Sequence, residues 1–121
     1  MTKPRGFYQE PPTDVELRTA IVDLDGTLAE ALWEPGQTKS FIGDPIDHGI
    51  NQVNNLRVEG YRIVIFTSRS WQDYNMIISW LTEHEVPFDQ VICGKPLGSV
   101  YIDDRGIHAS SPDWTRLPVT V

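Results

Sequence analysis

The stretch Thr19 to Leu24 (Thr-Ala-Ile-Val-Asp-Leu) constrains the chain most, because it is apolar almost throughout and is broken at once by Asp25-Gly26. A strand without polar alternation has to be covered on both faces, which is the habit of parallel sheets whose crossovers carry helices. The following residues supply matching pieces. Asp44-Pro45 reads as an N-cap followed by proline at the first helical position, and Ile46, Ile50, Val53 and Leu56 recur at helical spacing until Gly60. Tyr61 to Thr67 is a second β-rich run. Ser70, with Asp73 three residues on, has the form of a capping box and opens a helix that carries Tyr74, Ile77, Ile78 and Leu81 on one face and stops before Pro87. Gln90 to Cys93 and Ser99 to Asp103 read as two further short strands. This alternation predicts an α/β domain with a parallel sheet and right-handed crossovers.

Residues 1–18 hold Pro4, Gly6, Pro11 and Pro12 and no apolar period, so they are expected to form an extended arm, with the folded domain spanning 19–121. Ala29 to Gly43 has no period either and reads as a flap or hairpin near the strand ends; the tail after Arg105 has no pattern. With 121 residues, 40% of them hydrophobic and 22% charged, the chain can bury one globular core. Its one cysteine, Cys93, excludes an internal disulfide and a four-thiolate zinc site and favours a reducing compartment. No apolar run approaches the roughly 18 residues of a membrane span, and Met-Thr-Lys-Pro-Arg-Gly lacks the apolar stretch of a signal peptide. A cytoplasmic location with no membrane partner is therefore expected. Acidic side chains outnumber basic ones 17 to 10, for a net charge of -7, and the basic residues are scattered, which disfavours nucleic acid as a partner.

In open α/β sheets ligands bind outside the carboxyl ends of the strands. There the first strand ends in Asp23-Leu24-Asp25-Gly26-Thr27, the second in Thr67-Ser68-Arg69 and the fourth in Asp103-Asp104-Arg105, with Lys95 in the loop before the fourth. Asp23 and Asp25 are two apart, so both can lean toward one site, and Gly26 lets the backbone turn sharply. Asp103-Asp104 facing them would concentrate negative charge that a bound cation makes tolerable. Magnesium suits such hard carboxylate oxygens together with a substrate phosphate. Thr67 offers a hydroxyl, the turn after it amides, and Lys95 a positive charge. Carboxylate nucleophile, metal, hydroxyl and lysine together describe a phosphoryl-transfer site.

The order Asp-x-Asp-Gly-Thr-Leu at 23–28, an apolar strand ending in Thr67, then Lys95, then Asp103-Asp104 resembles the haloacid dehalogenase (HAD) superfamily of phosphohydrolases over roughly residues 19–107. The resemblance implies a Rossmann-like three-layer sandwich with a mostly parallel sheet. Neither the interval from Asp23 to Thr67 nor that from Thr67 to Lys95 has room for a cap domain, so a capless member is expected. Gly94-Lys95-Pro96 followed by Tyr-Ile-Asp-Asp-Arg-Gly-Ile is similar to small members found in phages and capsular polysaccharide loci, and more distantly to the 3'-phosphatase domain of polynucleotide kinases. By matching position, the resemblance makes Asp23 the nucleophile that forms an aspartyl-phosphate, with its second oxygen on magnesium. Asp25 would be the general acid and base, its carbonyl also on the metal. Thr67 would bond the phosphoryl group and Lys95 would neutralise charge; Asp104 would be the direct metal ligand and Asp103 its companion. The implied activity is magnesium-dependent hydrolysis of a small phosphomonoester, a sugar phosphate or a nucleotide. The alternatives are polynucleotide 3'-end processing and a non-enzymatic domain, either receiver-like or catalytically silent.

Taken alone these residues have plainer readings. Asp25-Gly26 would be a turn, Lys95 a solvated loop residue and Thr67 a strand end; only their company and order change that. Ser68 and Arg69 are candidate substrate-binding residues, but for Arg69 and Arg105 an ion pair with the acidic cluster is the more expected role. Trp71 and Trp33 are placed to wall the site, although packing is the commoner fate of tryptophan. His48, His84 and His108 read as surface residues and Cys93 as a small apolar one. A receiver domain also has a parallel sheet, an aspartyl-phosphate, a threonine and a lysine, but in receivers the lysine comes last. An open, capless site also leaves room for a second copy of the chain to cover it.

Overall fold

The structure, a computed structural model, describes residues 13, 18–31 and 41–116. Elements follow in the order β1 (Thr19–Val22), α1 (Asp47–Val58), β2 (Arg62–Phe66), a 3-10 turn (Trp71–Asp73), α2 (Tyr74–Glu83) and β3 (Gln90–Ile92). The strands form a three-stranded sheet in the order β1-β2-β3, parallel throughout, with Ile21 opposite Val64 and Ile65 opposite Val91. The α/β class and the parallel sheet expected from sequence are therefore present. No described helix is long and apolar enough to cross a membrane. The arm at 1–18 lies outside the described residues except for Thr13 and Arg18.

In a parallel sheet of sequential order, crossovers of the usual right hand place both helices on one face. Burial agrees. Val53 and Leu56 of α1 and Ile77, Trp80 and Leu81 of α2 share a single core cluster with Ile63, Ile65 and Val91 of the sheet. Val64, pointing the other way from β2, is buried outside that cluster, and its neighbour Ile21 on β1 is 67% exposed. Among the described residues both helices lie on one face of the sheet, and the cover expected on the other face is present at Val64 but missing at Ile21.

The expected fourth strand is also absent. Ser99 to Asp103 has no regular structure, and Val100, Tyr101 and Ile102 are all exposed. A strand needs a neighbour to complete its ladder, and the bonds of this stretch are local side-chain ones. The Tyr101 hydroxyl donates to the Pro96 carbonyl at 2.6 Å, while Asp103 Oδ1 accepts from the amides of Arg105 (2.8 Å) and Gly106 (2.6 Å).

The helices start where local chemistry allows. Ser70 caps as expected, its Oγ accepting from the Gln72 amide at 3.0 Å, but the first turn is 3-10 before α2 begins. Helix α1 begins at Asp47, later than Asp44-Pro45 suggests, because Pro45 is held in an antiparallel bridge with Ala29. Glu30 N donates to Asp44 O and Ile46 N to Leu28 O, both at 2.8 Å, so the two ends of the expected flap lie side by side. Its centre, 32–40 with Trp33, lies outside the described residues. The tail without a sequence pattern docks on α1. Trp114 is buried, its amide donating to Gln52 Oε1 at 2.9 Å, and His48 Nε2 lies 2.8 Å from the Ser111 carbonyl.

Asp89 ties α1 to the sheet: its carboxylate accepts from the Ile63 amide at 2.8 Å and pairs with Arg57 at 2.9 Å. The Ile63 amide first, and then Arg57, hold this carboxyl below its ordinary range. A depressed folded value means that the contribution is present above the ordinary carboxylate range and is lost as pH falls through the folded value. Asp89→Asn should therefore cost up to about 1 kcal/mol at pH 7. Urea melts should show the gap to wild type closing toward pH 3; a gap independent of pH would contradict this role.

Candidate functional site

The site is built where β1 and β2 end. After Val22 the chain leaves the sheet and folds back on itself: the amides of Thr27 (3.2 Å), Leu28 (2.8 Å) and Ala29 (3.1 Å) all donate to the Leu24 carbonyl. Gly26, at φ +83°, makes that reversal without strain. Leu24 and Leu28 are fully buried, which anchors the loop and leaves Asp23 and Asp25 to project from it.

Asp23 is half-buried. Lys95 Nζ lies 3.8 Å from its Oδ1, and Thr27 Oγ1 lies 3.5 Å from its Oδ2. Burial pushes the Asp23 carboxyl above its ordinary value, and the charge on Lys95 offsets part of that rise. Lys95 is itself positioned. Its amide donates to the Thr67 carbonyl at 2.8 Å, and its Nζ sits 4.5 Å from the centroid of the Tyr101 ring and 5.8 Å from that of Phe66. Thr67 is 1% exposed, with its Oγ1 accepting from the Arg69 amide at 3.1 Å. Asp23, Asp25, Thr67 and Lys95 are therefore brought into one region by the loops after β1, β2 and β3.

Arg69 takes the less adventurous of the two roles open to it. Its Nε and Nη2 each donate to an oxygen of Asp25 at 2.8 Å, a two-pronged ion pair, and Nη2 also donates to the Phe41 carbonyl at 3.0 Å. The Arg69 side chain is only 2% exposed, so it faces Asp25 and not a substrate. Its Nη1 is buried without a hydrogen-bond acceptor, the carboxylate of Asp73 standing 3.8 Å away. Ser68, the other expected substrate contact, is half-buried between Thr67 and Arg69.

Asp103 and Asp104 are not drawn in. Asp103 caps its own turn, and Asp104 is 84% exposed beside Arg105, whose Nε is 3.9 Å away. Among the described residues no three acidic, histidine or cysteine side chains stand together as metal ligands. The four carboxylates expected to hold magnesium, Asp23, Asp25, Asp103 and Asp104, are thus not gathered among the described residues, Asp103 and Asp104 following a stretch that does not form a strand.

Two features escaped the sequence. Arg69's clamp on Asp25 also fastens the end of the flap through Phe41, a link that charge pairing alone does not locate. Gly49 lies inside α1 against the motif loop: a β-carbon there would overlap the Thr27 carbonyl oxygen and stand 3.3 Å from Leu28 Cδ2. A glycine inside a helical pattern was the available signal of close approach.

No protein-family model matches the chain, and no curated protein does. Among solved structures, a crystal structure of a structural-genomics target from Vibrio cholerae is similar, with 32% sequence identity, a TM-score of 0.62, and 77% of this chain and 85% of that one covered. With a third of the residues shared across most of both chains, this protein belongs to the same family as the Vibrio cholerae protein.

Proposed function

We propose that the chain is a phosphomonoester hydrolase of the haloacid dehalogenase type, working through an aspartyl-phosphate on Asp23. The observation that carries this is the setting of Asp23, a half-buried carboxylate with Lys95 Nζ 3.8 Å from one oxygen and Thr27 Oγ1 3.5 Å from the other. A partly desolvated carboxylate is a stronger nucleophile than a hydrated one, and the charge on Lys95 favours its ionised form. One Asp23 oxygen attacks phosphorus and the ester P–O bond breaks, the leaving oxygen taking a proton from Asp25, which has first to leave its ion pair with Arg69 and take up that proton from water. Water then attacks the phosphorus, gives its proton to Asp25 and releases phosphate, restoring the Asp23 carboxylate. Lys95 offsets the charge that gathers on the phosphoryl oxygens.

The same reading expects magnesium. As placed among the described residues, the carboxylates do not suit a metal ion, since neither Asp103 nor Asp104 joins Asp23 and Asp25. The steps above therefore use the chain's own groups. A chelator titration decides the point: activity lost in excess chelator and restored by magnesium would require Asp103 or Asp104 to reach Asp23, whereas full activity in chelator would remove the ion from the mechanism.

One observation favours the catalytically silent alternative. Both oxygens of Asp25 are held by Arg69, and a proton-transfer group has to let go of such a partner. Release of phosphate from a chromogenic phosphomonoester separates the two. Turnover that falls on Asp25→Asn supports the enzyme; no turnover under any metal condition supports the silent domain.

A further inference from the structure

Next to this site two aromatic rings lie open. Trp71 is 58% exposed and Tyr74 37%, and they stack with centroids 5.8 Å apart and planes inclined by 30°. Aromatic side chains gain much from burial, yet Trp71 forgoes more than half of it and Tyr74 over a third, while Ile77, Trp80 and Leu81 of α2 go inside. The place of the pair is fixed by the strand-end loops. Ser70 caps the turn that carries Trp71, and the Gly94 amide donates to the Arg69 carbonyl at 2.9 Å. The indole nitrogen lies 4.0 Å from where a β-carbon on Gly94 would stand, so a longer side chain at 94 would crowd the edge of the ring. Lys95, the very next residue, reaches Asp23.

We propose that Trp71 and Tyr74 form a stacking subsite for the leaving group of the phosphomonoester and that this group carries an aromatic base, making the substrate class a nucleoside monophosphate. The inference rests on the phosphatase reading of Asp23 and adds the substrate class to it. A flat π-face takes up a base by stacking alone and needs no directed hydrogen-bond partners to do so. Stacking suits an open site because it needs no cap to enclose the ligand.

The test compares the full chain with its Trp71→Ala and Tyr74→Ala variants on adenosine monophosphate, glucose 6-phosphate and glycerol phosphate. Each ligand is also titrated against tryptophan fluorescence. The expected result is that Trp71→Ala raises KM for adenosine monophosphate about tenfold more than for glycerol phosphate, and that adenosine monophosphate quenches the parent chain but not this variant. Equal changes in KM for all three esters would overturn the subsite, and a change specific to glucose 6-phosphate would overturn the base in favour of a sugar. Should the parent chain hydrolyse none of them, the phosphatase reading fails separately, and the quenching data decide the subsite: quenching lost in Trp71→Ala supports it, and quenching absent or unchanged overturns it.

Discussion

Asp23→Asn is expected to abolish phosphomonoester hydrolysis, lowering kcat by about 10^4-fold or more, while raising the melting temperature at neutral pH. The amide is nearly isosteric and cannot attack phosphorus. The gain in stability follows from the setting of the carboxylate. Burial raises the Asp23 carboxyl above its ordinary value despite Lys95 at 3.8 Å. The folded chain therefore holds that proton more tightly than the unfolded chain does, and stability falls as pH rises through the raised value. Asparagine removes the burden of a desolvated charge. Thermal melts should show the variant's lead over the parent growing as pH rises from the acid range to neutrality. Near-parental turnover in a folded Asp23→Asn protein would end the assignment of the nucleophile. A lower melting temperature at pH 7 would show that the pair with Lys95 outweighs burial.

Gly49→Ala should be the most damaging small change outside the site. In a free helix alanine would gain about 1 kcal/mol over glycine. Here the added methyl overlaps the Thr27 carbonyl oxygen and presses on Leu28. Because the other atom is backbone, relief requires either α1 or the loop after β1 to move, and overpacking of this kind costs about 1–3 kcal/mol. Backbone overlap belongs at the upper end, so a net loss of about 2 kcal/mol is expected, or roughly 10 °C in a domain of this size. Thr27 sits 3.5 Å from Asp23, so kcat/KM should fall as well, beyond what the loss of folded protein explains. A variant as stable and as active as the parent would mean that the helix does not brace the motif loop.

What could be read from the sequence was whatever depends on local pattern. The apolar runs at 19–24 and 61–67, the helical spacing of Val53 and Leu56, and the cap at Ser70 each specify an element through chemistry within a few residues, and each appears. What could not be read depends on partners far along the chain. Ser99 to Asp103 has strand-like composition, but whether it becomes a strand rests on an edge to pair with, and composition says nothing about which edge is free. Trp114 docks on Gln52 through a side-chain bond spanning more than half the chain, with no periodicity to announce it. The site divides in the same way. Asp23, Asp25, Thr67 and Lys95 follow strand ends that form, and they converge. Asp103 and Asp104 follow one that does not, and they stay apart.

The most direct test of the central claim is to trap the acyl-phosphate. Mixing the protein with excess phosphomonoester, quenching in acid and reducing with borohydride converts a phosphorylated aspartate to homoserine, which peptide mass spectrometry locates. The expected result is homoserine at position 23 alone, absent without substrate and absent in Asp23→Asn. Phosphate release with the reduced residue elsewhere, or with none formed at position 23, would contradict the account.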